Sequence, residues 1–234
     1  MVKTKKIFLL AAVLSVQLSF AQFAKIVDKD GYVNIRENAD AKSKIIGRIN
    51  SDEIVYIFEP DEADKEWLNV DTKGKTGGYI HNSRVKYIES YDAVPSTEKS
   101  GNKIIFKSGD IKVDILSEKF NYKENKKHFS SSHMGDQQQE DQYKGQQIWG
   151  TDGTVPQTHY KSITVQMNGK TLQIPAKEIE NLFNIDNEAT HCYFDKINDT
   201  LYIEMNNSDG AGAYVGLFII EKGKYKGKML TLPF

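Results

Sequence analysis

The residues most able to do chemistry are His191 and Cys192, an imidazole next to a thiol. A cysteine nucleophile needs such a base beside it. Adjacent residues on a strand point to opposite faces, however, so His191 is poorly placed to take the Cys192 proton. No helix-start signal lies next to Cys192 to lower its pKa. It reads as a small, half-buried strand residue. His128, His133, Asp136, Glu140, Asp141 and His159 form the other concentration of such groups. The step from His128 to His133 is five residues, not the three or four of a helical metal pair, so this set reads as a solvated polar loop. Asp195, Asp199 and Asp209 fall at strand ends, where turns favour Asp, without the spacing of a calcium loop. No phosphate-cradling Gly loop, nucleophile elbow or paired-His helix is present. The expectation is a non-enzymatic protein with no catalytic residue, no metal and no cofactor.

The rest of the chain agrees with a binding protein. A single Cys among 234 residues excludes an internal disulfide framework and a multi-thiolate metal site. A formal net charge of −1 gives no bulk attraction to nucleic acid. Residues 1–21 read as a secretory signal peptide: Lys3, Lys5 and Lys6, an uncharged run from Ile7 to Phe20, then Ser19-Phe20-Ala21 at the cleavage site. That run would span about 21 Å as a helix, short of a hydrocarbon core of about 30 Å. Losing the three lysines takes the formal charge to −4. No second run of spanning length follows. The mature chain is expected in the periplasm or outside the cell, without a membrane span.

The elements that follow are mostly strands. From 24 to 88, Tyr32-Val33-Asn34-Ile35-Arg36, Ile45 to Ile49, Ile54 to Phe58, Trp67 to Val70 and Gly78-Tyr79-Ile80 are separated by Asn, Asp, Pro and Gly turns. Even spacing without a helical period implies a small antiparallel barrel or sandwich. Residues 89–102 contain Pro95 and Gly101 and read as a linker. Residues 103–234 read as a second β-rich domain, with a hairpin across Ser108-Gly109 and another across Asn168-Gly169. One short helix is expected from Pro175 to Phe183. The polar stretch 123–147 has no apolar period and reads as a long loop open to trypsin at Lys123, Lys126, Lys127 and Lys144. The fold class is all-β: a small barrel, then a second antiparallel sandwich or barrel-like domain with one short helix.

Gly31 to Ala39 with Lys44-Ile45-Ile46-Gly47, Asp52 to Tyr56, Trp67-Leu68-Asn69-Val70 and Lys73 to Ile80 together resemble the bacterial SH3 (SH3b) domain, in order and over about 65 residues. Val33 stands where that family usually has Leu, and Tyr79 replaces its Trp after one extra Gly. The resemblance implies a small SH3-like barrel that binds peptidoglycan or another extended peptide on an aromatic surface. Tyr32, Trp67, Tyr79 and His81 are the candidates for that surface. Ile80 alternates with Tyr79, so an inward Ile80 turns Tyr79 outward, beside Tyr32; His81 joins them where the strand bulges or ends. Trp67 is read as filling the barrel. Arg36 and Asn34 are read as structural, tying the first loop to the barrel. In the second half, Asn206 to Tyr214 is a small-residue loop between two apolar strands. At Ser208, Gly212 and Tyr214 it is similar to the loops of periplasmic lysozyme inhibitors. This implies a protein partner at that loop and an alternative role as an inhibitor or immunity-type protein. The second half also resembles a C-terminal domain of exported bacterial proteins, which carries no function over.

Export makes a direct prediction. Mass analysis of the secreted product should place its N-terminus at Gln22, free or cyclised. A retained Met1 in a membrane fraction would sink the signal-peptide reading.

Overall fold

Val33 and Ile35 point into a small core while Tyr32, Asn34 and Arg36 turn away from it, and this two-residue alternation sets the first half of the molecule. The computed structural model describes residues 22–58, 66–74, 76–132 and 140–233. The expected signal peptide lies outside them, as do His133 and Asp136. Seven strands wind into the first unit: β1 (Gln22–Ile26), β2 (Tyr32–Arg36), β3 (Ile45–Asn50), β4 (Ile54–Ile57), β5 (Trp67–Thr72), β6 (Gly78–His81) and β7 (Val85–Tyr87). They pair in the order β3-β2-β6-β5-β4-β1-β7. Ala24, Ile26, Val33, Ile35, Val55, Ile57, Leu68, Val70 and Ile80 fill the interior. Residue 78 has to be Gly. Its φ is +154°, and a Cβ there would sit 2.6 Å from Ile35 Cγ2 and 2.7 Å from the Arg36 carbonyl oxygen.

The second unit is a sandwich of two antiparallel sheets. The strands are β8 (Asp92–Ala93), β9 (Ser96–Ser100), β10 (Lys103–Ser108), β11 (Ile111–Lys119), β12 (Phe129–Ser130), β13 (Gln142–Tyr143), β14 (Gln146–Gln147), β15 (Thr158–Met167), β16 (Lys170–Gln173), β17 (Thr190–Asp195), β18 (Thr200–Asn207), β19 (Tyr214–Glu221) and β20 (Lys224–Thr231). One sheet runs β16-β15-β11-β10-β9 and the other β20-β19-β18-β17-β8. Ile104, Val113, Ile163, Val165 and Met167 from the first meet Leu201, Ile203, Phe218 and Ile220 from the second. Asn168 and Gly169 form the β15–β16 turn with φ of 53° and 67°, the pair of positive values that a type I′ hairpin needs.

Three expectations change here. The segment 89–102 is not a free linker: β8 pairs with β17 and β9 pairs with β10, so it is stitched into both sheets. From Pro175 to Phe183 there is a 3₁₀ turn, Ala176–Glu178, and no α-helix; Ile179, Leu182 and Phe183 are buried as the pattern implies. The short α-helix is Tyr122–Asn125 instead, capped by the Asn121 side chain on the Glu124 N–H. It opens the stretch read as a polar loop. In that stretch β12, β13 and β14 form a small sheet, and Phe129 and Tyr143 pack against Phe120 and Phe183. Lys144 is held by Glu180 at 2.6 Å. Residues 133–139 lie outside the description.

The two units share a third core. On β1 and β4 the residues facing away from the barrel interior are Phe23, Ile54 and Tyr56, all buried, with Lys25 between them. They meet Tyr202, Val215, Leu217 and Met229 from the outer face of the β17–β20 sheet. Lys25, with a side chain only 7% exposed, lies 2.9 Å from Asp52 in its own unit and 3.6 Å from the buried Asp195 in the other. Burial alone would raise the Asp195 carboxyl. Hydrogen bonds from Asn198 and the Lys25 charge hold it below the usual carboxylate range.

Glu204 lies two residues beyond Tyr202 on β18, on the same face. Burial, reinforced by the charge of Glu89, pushes its carboxyl up to about 7. Between the ordinary value of 4.5 and about 7 the folded protein keeps a proton that the unfolded chain has released. Stability should therefore fall as pH rises through that window and level off above it, by up to roughly 3 kcal/mol for this group. Calorimetry of Glu204→Gln should show a flatter profile and a higher Tm at alkaline pH. An unchanged slope would mean that the carboxyl is solvated.

Candidate functional site

Trp67 opens β5 and His81 closes β6, and the strand register sets them directly opposite one another. Their rings meet edge to face, with centroids 5.4 Å apart at 88°. Ser83 donates its backbone N–H to His81 Nδ1 at 3.3 Å, and its Oγ lies 2.8 Å from the same atom. The neutral ring therefore carries its proton on Nε2. Tyr32, at the start of β2, is 38% exposed, and the Arg48 guanidinium lies 4.6 Å from its ring centroid. Arg48 is itself oriented by donating to Asn34 Oδ1 at 3.2 Å. Tyr32, Trp67 and His81 line one groove of about 370 Å³, with Asp28, Asn34 and Arg84 along its polar side.

That polar side is built rigidly. Arg84 pairs with the enclosed carboxylate of Asp28. The Asp30 backbone N–H, 2.8 Å from Asp28 Oδ1, and then the Arg84 guanidinium hold this carboxyl below its usual range, while burial opposes them. Asp28 also exchanges hydrogen bonds with Ser51 through its backbone. Arg36, on the wall of the same groove, donates to the Ser43 carbonyl at 2.6 Å, tying the β2–β3 loop to the barrel. Such a surface offers aromatic faces and a ring N–H beside fixed charges. It can hold an extended chain by stacking on its apolar parts and hydrogen-bonding to its amides.

Residues 31–86 match the family model of the bacterial SH3 domain. This unit is a bacterial SH3 domain. β1 lies outside the matched span, yet it pairs with both β4 and β7 and completes the SH3 barrel. Comparison with curated proteins finds no match to the chain.

Of the four residues expected on the ligand surface of the SH3 domain, the structure gathers Tyr32, Trp67 and His81. Tyr79 is two cross-strand pairs further along, opposite Asn69, and does not line the groove. Trp67 is half-buried on the outer face and not in the barrel interior, where Leu68 and Val70 stand. Strand alternation requires this once Leu68 is inside. Asp28 and Arg84 were missed because their pairing joins two loops 56 residues apart. In the loop expected to reach a partner, the tip at Asp209, Gly210 and Ala211 is exposed, but Gly212 and Tyr214 are buried and Ser208 is half-buried. Tyr214 is fully buried, its hydroxyl 3.1 Å from Asn207 Nδ2 and donating to the Phe183 carbonyl at 3.3 Å. Gly212 is buried, and the Ser208 hydroxyl donates to the Gly150 carbonyl at 3.0 Å. Polar small residues close to a Tyr here build an internal hydrogen-bond set. Cys192 is 2% exposed, and burial pushes its thiol well above the ordinary range. His191 projects from the other face of β17. Among the described residues, no cluster of His, Cys, Asp and Glu is placed to hold a metal ion.

The placement of Trp67 sets a stability test. Trp67→Ala should keep the barrel folded, at a cost on the order of 1 kcal/mol for the lost ring contact. Leu68→Ala, one residue on but inside, should cost about 2–5 kcal/mol. Urea unfolding followed by circular dichroism separates the two. The reverse order would return Trp67 to the core.

Proposed function

We propose that this is an exported, non-enzymatic protein whose SH3 domain binds cell-wall peptide. The observation that carries the reading is the groove in which Tyr32, Trp67 and His81 meet beside the Asp28–Arg84 pair. Tyr32 is exposed on this surface, and aromatic groups left in solvent next to fixed polar ones favour a ligand that is apolar along its length and amide-rich. Peptidoglycan stems have that chemistry. The basic, apolar and small-residue order of 1–21 supports export. Among the described residues no helix is long and apolar enough to cross a membrane. The buried thiol and the opposed His191 support a binding role over a hydrolytic one.

Purified sacculi should retain the mature chain in a sedimentation assay. Tyr32→Ala should weaken retention about three- to tenfold, the worth of one stacked aromatic, with the Tm little changed. Equal retention of a folded Tyr32→Ala variant and its parent would remove this groove as the wall-binding surface.

A further inference from the structure

The groove is not the largest concavity of the molecule. A cleft of about 600 Å³ opens where the outer face of β5 meets β20 and the loop carrying Trp149. The two are joined by one strand. Along β5, Trp67, Asn69 and Asp71 alternate with the core residues Leu68 and Val70, and Lys73 follows in the turn beyond the strand. Trp67 lines the groove; Asn69, Asp71 and Lys73 line the cleft. Tyr79, opposite Asn69, stands on this face between the two. From Trp67 to Thr72 the track along the strand is about 17 Å long, with Lys73 in the turn past its end.

The far end of the track belongs to the C-terminal sandwich. Trp149 is fixed there: its N–H donates to the Asn181 carbonyl at 3.0 Å, its carbonyl accepts from Phe183 at 3.0 Å, and its ring packs on Tyr214. Lys73 makes no ion pair among the described residues, and its Nζ lies against Gly227 of β20, where a Cβ would stand 3.4 Å from it. Asp71 and Lys73 therefore present opposite charges two residues apart on the cleft wall. Their match is a chain with both a carboxylate and an amine, long enough to reach Trp67.

We propose that groove and cleft form one continuous site, which holds two cross-linked wall stem peptides, with the C-terminal sandwich supplying Trp149 to the distal stem. The inference rests on the wall-peptide reading of the groove. A single stem carries an amine and a carboxylate that could meet Asp71 and Lys73 but covers only part of the track; a cross-linked pair spans it from Trp67 to Trp149 and keeps such groups at its unlinked ends.

The chain holds two tryptophans, one at each end of the track. Labelling the full mature chain with 5-fluorotryptophan gives one fluorine resonance per end, assigned with Trp67→Phe. The probes are muropeptides released from sacculi by a muramidase, separated into monomeric and cross-linked fractions. Monomers should shift the Trp67 resonance alone. Cross-linked fragments should shift both with a single midpoint, and Lys73→Ala should weaken their binding roughly two- to fivefold. If cross-linked fragments move Trp67 and leave Trp149 still, the continuous site is wrong while wall binding stands. Two different midpoints would mean two separate sites and would also overturn it. Silence at both ends with every fraction would remove the wall reading and this inference with it.

Discussion

Tyr202, Val215, Leu217 and Met229 project from the side of the β17–β20 sheet that a two-sheet sandwich would leave wet. Exposing such a row is unfavourable at roughly 25 cal/mol per Å² of apolar surface. The SH3 barrel covers it with Phe23, Ile54 and Tyr56. The arrangement is three-layered: sheet, sheet, barrel. Lys25 sits in the seam, between Asp52 of one unit and Asp195 of the other. A buried ion pair contributes little net stability, because desolvation offsets the attraction. Misplaced, however, it would leave charges unpaired in an apolar seam. Lys25 therefore fixes how the barrel sits more than how strongly it is held.

That seam decides where a ligand can bind. The outer faces of β1 and β4 are used up against the sandwich. The outer faces of β2, β5 and β6 stay open, and there Tyr32, Trp67 and His81 are found. β5 is central to this division. Its inner residues, Leu68 and Val70, hold the barrel together, and its outer residues run from the groove toward the second unit.

The barrel was largely legible in the sequence, because its turns and alternating strands are local signals. The strand alternation from Tyr32 to Arg36 could be read directly, and so could the Asn168-Gly169 hairpin. The sandwich was legible only as strands. Val215 to Ile220 is a continuous apolar run, the signature of a strand buried on both faces, but nothing local says which partner covers each face. The stretch 123–147 failed for a related reason. Its aromatic residues are few and far apart, and they become a cluster only when Phe120 and Phe183 arrive from elsewhere. Tyr214 misled because small polar residues before a Tyr look alike whether they protrude or bond inward. Asn207, the partner that decides it, has the same letter in both cases.

The stitching of β8 and β9 into the two sheets has a consequence for how such a chain can be assembled from parts. Bacterial SH3 domains are easily pictured as beads, cut at a linker and joined to new neighbours. Here the cut has no safe position. Severing near residue 88 strips Phe23 and Tyr56 of their cover, and severing near 102 removes an edge strand and the short strand beside β17. The barrel and sandwich are bound to recombine together, as a single cassette, or not at all.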